Sequence, residues 1–189
     1  YGDGIDCSSV LTILNGDFII RSGVSNSNLT LNSGKGIKGL NNLEIYGGVI
    51  DIESKDDAIH SNNQITINNG TLKLSSNDDG IHADNNLNIN GGIINIIKSY
   101  EGLEALNVTI NNGDISIVAT DDGINVAGGV DGSSNFRPGP GSSGNALLTI
   151  NGGTIYVNAS GDGLDANGSI NMSGGTVIVN GPTNDGNGP

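Results

Sequence analysis

Acidic residues in this chain come just ahead of a glycine or alanine, and they recur. Asp56-Asp57-Ala58, Asp78-Asp79-Gly80 and Asp121-Asp122-Gly123 are full pairs, while Tyr100-Glu101-Gly102, Gly161-Asp162-Gly163 and Gly2-Asp3-Gly4 keep one acid at the second place. An aliphatic residue and then a polar one follow each phrase: Ile59-His60, Ile81-His82, Leu103-Glu104, Ile124-Asn125 and Leu164-Asp165. Gly34-Lys35-Gly36-Ile37-Lys38 has the same form with lysines where acids belong. The phrases return about every 22 residues, a period that signals a solenoid. Asp57, Asp79, Glu101 and Asp122 are then expected to stack at one corner, roughly 5 Å apart. Two bare carboxylates at that distance repel by about 1 kcal/mol in water and ~3 kcal/mol at an effective dielectric of 20. Hard oxygen ligands on closely spaced turns suit Ca²⁺, which takes six to eight of them; Mg²⁺ demands a tighter octahedron. The competing reading is that Asp-Gly simply makes good solvated turns. Repulsion accumulating over several coils favours a metal. The sequence therefore nominates Asp56, Asp57, Asp78, Asp79, Glu101, Glu104, Asp121, Asp122 and Asp162 as calcium ligands.

The elements that would carry this corner are short strands. Leu43-Glu44-Ile45-Tyr46-Gly47-Gly48-Val49-Ile50-Asp51-Ile52 has counterparts beginning at Leu87 and Leu148, with apolar residues at every second position on both sides of a Gly turn. That is the strand period, and no window holds a 3.6-residue period. Three strands of ~4–5 residues with short turns close one coil. The chain is expected to be an all-β, right-handed parallel β-helix, a single solenoid of about seven coils over residues 1–189. Three interior ladders follow: Ile37, Ile59, Ile81, Leu103, Ile124 and Leu164; Leu43, Ile65, Leu87, Val108, Leu148 and Ile170; Ile50, Leu72, Ile94, Ile115, Ile155 and Val177. Two stretches break the period, around Ser22–Ser33 and in a Gly/Ser/Pro-rich insertion at 127–145. Tyr1 opens mid-phrase, so a segment of a longer protein is expected.

Composition agrees with a narrow aliphatic column: 34% hydrophobic, 3% aromatic, no tryptophan and 32 glycines. A net charge of −13 repels nucleic acid and anionic membranes, and no stretch approaches the ~20 apolar residues of a membrane helix. One cysteine excludes an internal disulfide, and Cys7 reads as a small core residue. His60 and His82 align on neighbouring coils and are expected to face outward; with no third nitrogen or thiolate, zinc is not expected there. Tyr46 and Tyr156 make no aromatic platform.

The runs Asp78-Asp79-Gly80-Ile81-His82-Ala83, Tyr100-Glu101-Gly102-Leu103-Glu104-Ala105 and Asp121-Asp122-Gly123-Ile124-Asn125, with Leu148 through Asn184, resemble the clostridial carbohydrate-binding β-helix proteins related to polysaccharide lyases. That resemblance implies a pectate-lyase-like helix at the cell surface or secreted, bound Ca²⁺ on the acid-acid-Gly positions, and a cellulose-like or polygalacturonate-like polysaccharide partner. A β-elimination lyase would need a positioned Lys or Arg base beside the calcium. The chain has only seven such residues, and none of Arg21, Lys38 and Arg137 belongs to an acidic coil with a second basic partner. No catalytic residue is nominated. A non-catalytic, calcium-bridged binder fits better than a lyase or a calcium-stapled adhesin stalk, and the sugar-contacting residues stay unassigned.

Overall fold

A computed structural model of the chain describes residues 2–23, 34–127 and 146–183. Of the irregular stretches foreseen from the broken period, around Ser22–Ser33 and at 127–145, residues 24–33 and 128–145 lie outside the described residues. Among the described residues all of the regular structure is β, in 19 strands paired only in parallel. The strands form three columns. The first stacks Ile5–Cys7, Ile37–Gly39, Ile59–Ser61, the start of Ile81–Ile89, the start of Leu103–Ile110, Ile124–Val126 and Leu164–Ala166. The second stacks Val10–Ile13, Asn42–Ile45, Gln64–Ile67, the ends of the two long strands, Leu147–Ile150 and Ser169–Met172. The third runs from Asp17–Ser22 to Thr176–Asn180 as a separate seven-stranded sheet. Seven coils result, as the repeat implied.

Register matches the alternation of the sequence. Ile37, Ile59, Ile81, Leu103, Ile124 and Leu164 sit directly above one another, and the other two ladders keep step equally. These aliphatic side chains form one continuous core, fully buried through the middle coils. No coil could cover its own apolar face, so each is stable only against its neighbours. In the outermost coils the same positions open: Ile170 is 47% exposed. Cys7, expected in the core, is half-buried for this reason, since it lies on the first coil with a coil on one side only among the described residues.

Two turn devices hold the coils in step. The Gly turn between the second and third columns repeats a left-handed residue, with φ of 103° at Gly48, 98° at Gly92 and 87° at Gly153. Only glycine takes such angles without strain. Just before it, Asn68, Asn90, Asn111 and Asn151 stack, the amides of the last three each donating to the carbonyl of the asparagine one coil below at 2.8–2.9 Å.

The third column alternates exposed and buried residues, as a sheet with one wet face should. The first column departs from this. In Ile59–Ser61 and Ile81–Ala83 every residue is buried, including the outward one. The acid corner explains why.

Candidate functional site: the acidic corner

Each coil enters the first column through its acid phrase, and three residues later presents an outward polar residue. The side chain at the second acid place folds back over that strand, so the two rows face each other. One row runs Asp3, Lys35, Asp57, Asp79, Glu101, Asp122, Asp162. The other runs Asp6, Lys38, His60, His82, Glu104, Asn125, Asp165, in continuous strand register.

The inner acids are not left bare. Asp57 Oδ1 accepts the backbone N–H of Asp79 (3.1 Å), Asp79 Oδ1 that of Glu101 (3.1 Å), and Asp122 Oδ1 that of Asp162 (2.7 Å). Asp3 does the same for Lys35 at 3.0 Å. Every such bond ties one coil to the next through an ionised acceptor, which is stronger than a neutral one. This is a physical reason for an acid at the second place that turn propensity alone does not supply.

The lysine coil turns out to be a counter-charge. Lys35, 3% exposed, places Nζ 2.6 Å from Asp57 Oδ2 and 3.1 Å from Asp56 Oδ1. Lys38 lies 4.0 Å from Asp3. His60 and His82 take the outward places expected for them, yet they are only 1% exposed. The acid row covers them, and His60 Nδ1–H donates to Asp57 Oδ2 at 2.8 Å. Burial opposes ionisation of Asp57, yet the His60 bond and the charges of Lys35, His82 and His60 hold it well below the ordinary carboxylate range. His82 is penalised by burial, but its bond to Asp79 and the charges of Glu104, Asp57 and Asp79 raise it well above the usual imidazole value.

Towards the last coils the balance reverses. Burial, then Asp79, pushes Glu101 up to about 8 against the opposing hydrogen bond from Asn125. Burial also lifts Glu104 to about 10: His82 opposes the shift, and Asp79 and Glu101 add to it. Asp122 is raised to about 6 by burial and by Asp121, Asp165 and Asp162, although the Asp162 amide opposes. These carboxyls sit among like charges, and the buried atoms Glu101 Oε2 and Asn125 Oδ1 make no hydrogen bond. Such a corner lacks positive charge.

The structure therefore gathers the nine nominated acids along one edge, but divides them. Asp56, Asp57 and Asp78 bring ligand atoms within 4.8 Å of one another, as do Asp79, His82 and Glu104. Asp121, Asp122 and Asp162 line the lower coils without forming such a group among the described residues. Lys35, His60, His82 and Asn125 were missed as members. Their signal was present, since all occupy the two repeating places, but reading the repeat for acids alone passed over them. Lys55 and Lys98 were missed as well: each is exposed beside the corner, Lys55 directly before Asp56-Asp57 and Lys98 two residues before Tyr100, itself 43% exposed.

No helix among the described residues is long and apolar enough to cross a membrane. No curated protein and no solved structure gives a significant match to the chain. A family does match, twice and in overlapping stretches, residues 1–80 and 66–134, as a repeated architecture would. The match covers well more than half the length: the chain belongs to the family of carbohydrate-binding domain-containing proteins.

Proposed function

We propose that the protein is a non-catalytic, calcium-dependent binder of plant cell-wall polysaccharide, acidic or cellulose-like, acting outside the cell where such polymers occur. The observation that carries this reading is the surplus of buried or half-buried carboxyls over cations in the lower coils of a chain from a carbohydrate-binding family. Calcium fits the donor set there. Asn125 Oδ1 is buried without a partner, and in the same coils the Asp121 and Asp162 carboxyls act on Asp122, so the donors on offer are oxygens. These residues would hold the ion; when bound it would neutralise them and offer an open valence to a sugar oxygen or uronate carboxylate. The upper coils have less need of one, because Lys35 and His60 already meet Asp57.

Beside the corner, exposed Lys55 and Lys98 supply positive charge, and exposed Tyr100 an apolar ring. Acidic sugar is then recognised through cations on a protein that is otherwise strongly negative. Lys35, by contrast, is buried in an ion pair and cannot reach a sugar proton as a base, which favours binding over β-elimination. Pull-down on polygalacturonate and on cellulose with and without Ca²⁺, using wild type and the Lys55→Glu/Lys98→Glu double variant, tests the proposal. Binding to polygalacturonate should need Ca²⁺ and fall about tenfold or more in the double variant, as expected when two attractive contacts become repulsive. Binding unaffected by EDTA would refute the calcium part.

A further inference from the structure

His82 is the one side chain in the corner on which several buried acids converge. Its Nδ1 lies 3.1 Å from Glu104 Oε2, 3.3 Å from Asp79 Oδ2 and 3.9 Å from Asp57 Oδ2. A single N–H can satisfy only one of them. Glu101, 9% exposed, adds a further carboxyl to this pocket: Asp79 is the strongest charge acting on it, and it acts in turn on Glu104. Its Oε1 accepts from Asn125, while its Oε2 is buried with no hydrogen-bond partner. Several carboxyl oxygens thus compete for one imidazole nitrogen.

The separations carry the identity of the ion. Ligands about 2.0–2.1 Å from a tetrahedral Zn²⁺ lie about 3.3–3.4 Å from each other. The Nδ1–Oδ2 and Nδ1–Oε2 distances of 3.3 and 3.1 Å are close to that edge. Calcium at 2.3–2.6 Å with six to eight oxygens would need a wider, nitrogen-free cage. Imidazole nitrogen at the centre of the set selects a borderline transition metal.

We infer that Asp79, His82 and Glu104, with Glu101 beside them, form a three-ligand site for a divalent transition metal of the Zn²⁺ type whose fourth position is left to water, separate from the oxygen-only calcium positions of the lower coils. The expectation from sequence that zinc is unlikely for want of a third nitrogen or thiolate is thereby revised: carboxylates from two neighbouring coils supply the missing ligands. A site of this kind joins two successive coils at their most charged point.

The test is to unfold the full chain in chelator, refold it with saturating Ca²⁺ and either Zn²⁺ or Co²⁺, dialyse, and measure bound metal. One Zn²⁺ per chain should be retained in the presence of Ca²⁺. The Co²⁺ form should show the intense visible bands of four-coordination and a shifted, exchangeable imidazole N–H proton. His82→Asn and Glu104→Gln should each weaken Zn²⁺ binding by about tenfold or more. Should His82→Asn fail to fold, Glu104→Gln and the wild-type Co²⁺ proton signal decide alone. Complete displacement of Zn²⁺ by Ca²⁺, six-coordinate Co²⁺ bands, or retention unchanged by both substitutions would overturn the site. Calcium-dependent glycan binding is scored separately, so either idea can fail alone.

Discussion

At the level of single residues, Lys35 and Asp57 dominate the corner. Both are buried, and Asp57 accepts from Lys35, His60 and the Asp79 amide together. Removing one partner of a buried pair leaves the other uncompensated, at a cost of about 3–5 kcal/mol. Lys35→Met should lower stability by about 3 kcal/mol in urea titration, because His60 still offsets part of the charge; a loss under about 1 kcal/mol would mean that Asp57 finds another cation. The titrating acids give a second expectation. Glu101 rises from 4.5 to about 8 and Asp122 from 3.8 to about 6, so the folded chain holds these protons more tightly than the unfolded one. Their stabilisation is complete below the unfolded values and is lost as pH climbs to the folded ones. His82, raised above 6.5, acts in the same sense, its contribution lost at higher pH. Asp57 acts oppositely, contributing above 3.8 and failing only in strong acid. The metal-free chain should therefore melt highest near pH 5 and progressively lower towards pH 8, and added Ca²⁺ should flatten the slope. A metal-free melting temperature constant between pH 5 and 8 contradicts this account.

Among the elements, the turns matter as much as the strands. At Gly92 φ is 98°, and an added Cβ would stand 2.9 Å from Gly70 O on the coil below. Gly92→Ala should cost about 1–3 kcal/mol from the left-handed angle alone, with more from the contact. Thermal unfolding checks it, with Asn95→Ala on the exposed face of the following strand as the neutral comparison. The strands themselves were easy to read, because period-two alternation has one geometric meaning when every second residue is Ile, Leu or Val. In the first column alternation places His60 and His82 outward, as the structure does, but the structure also buries them. Alternation reports the face of a strand a residue occupies. It does not report what another coil's side chains lay over that face.

For the molecule as a whole, charge sets the terms of binding. At −13 the chain repels acidic polymers, and the repulsion is long-ranged only when salt is low. In EDTA, retention on polygalacturonate should stay weak at low salt and improve as NaCl rises towards 0.5 M; with Ca²⁺ the order should reverse, since the attraction is then ionic. Neutral cellulose should show neither trend, and the same salt response on both polymers would argue against charge as the discriminator. The sequence by itself determined the coil number, the three apolar ladders and the row of acids, because a solenoid places residues one period apart directly above one another. It could not decide which acids are already neutralised. That depended on the tertiary structure, which sets Lys35 between Asp56 and Asp57 and folds the acid row over His60 and His82. The physical reason is range: ladder register follows from backbone period alone, whereas the charge state of a buried carboxyl depends on groups within a few ångströms, contributed by neighbouring coils.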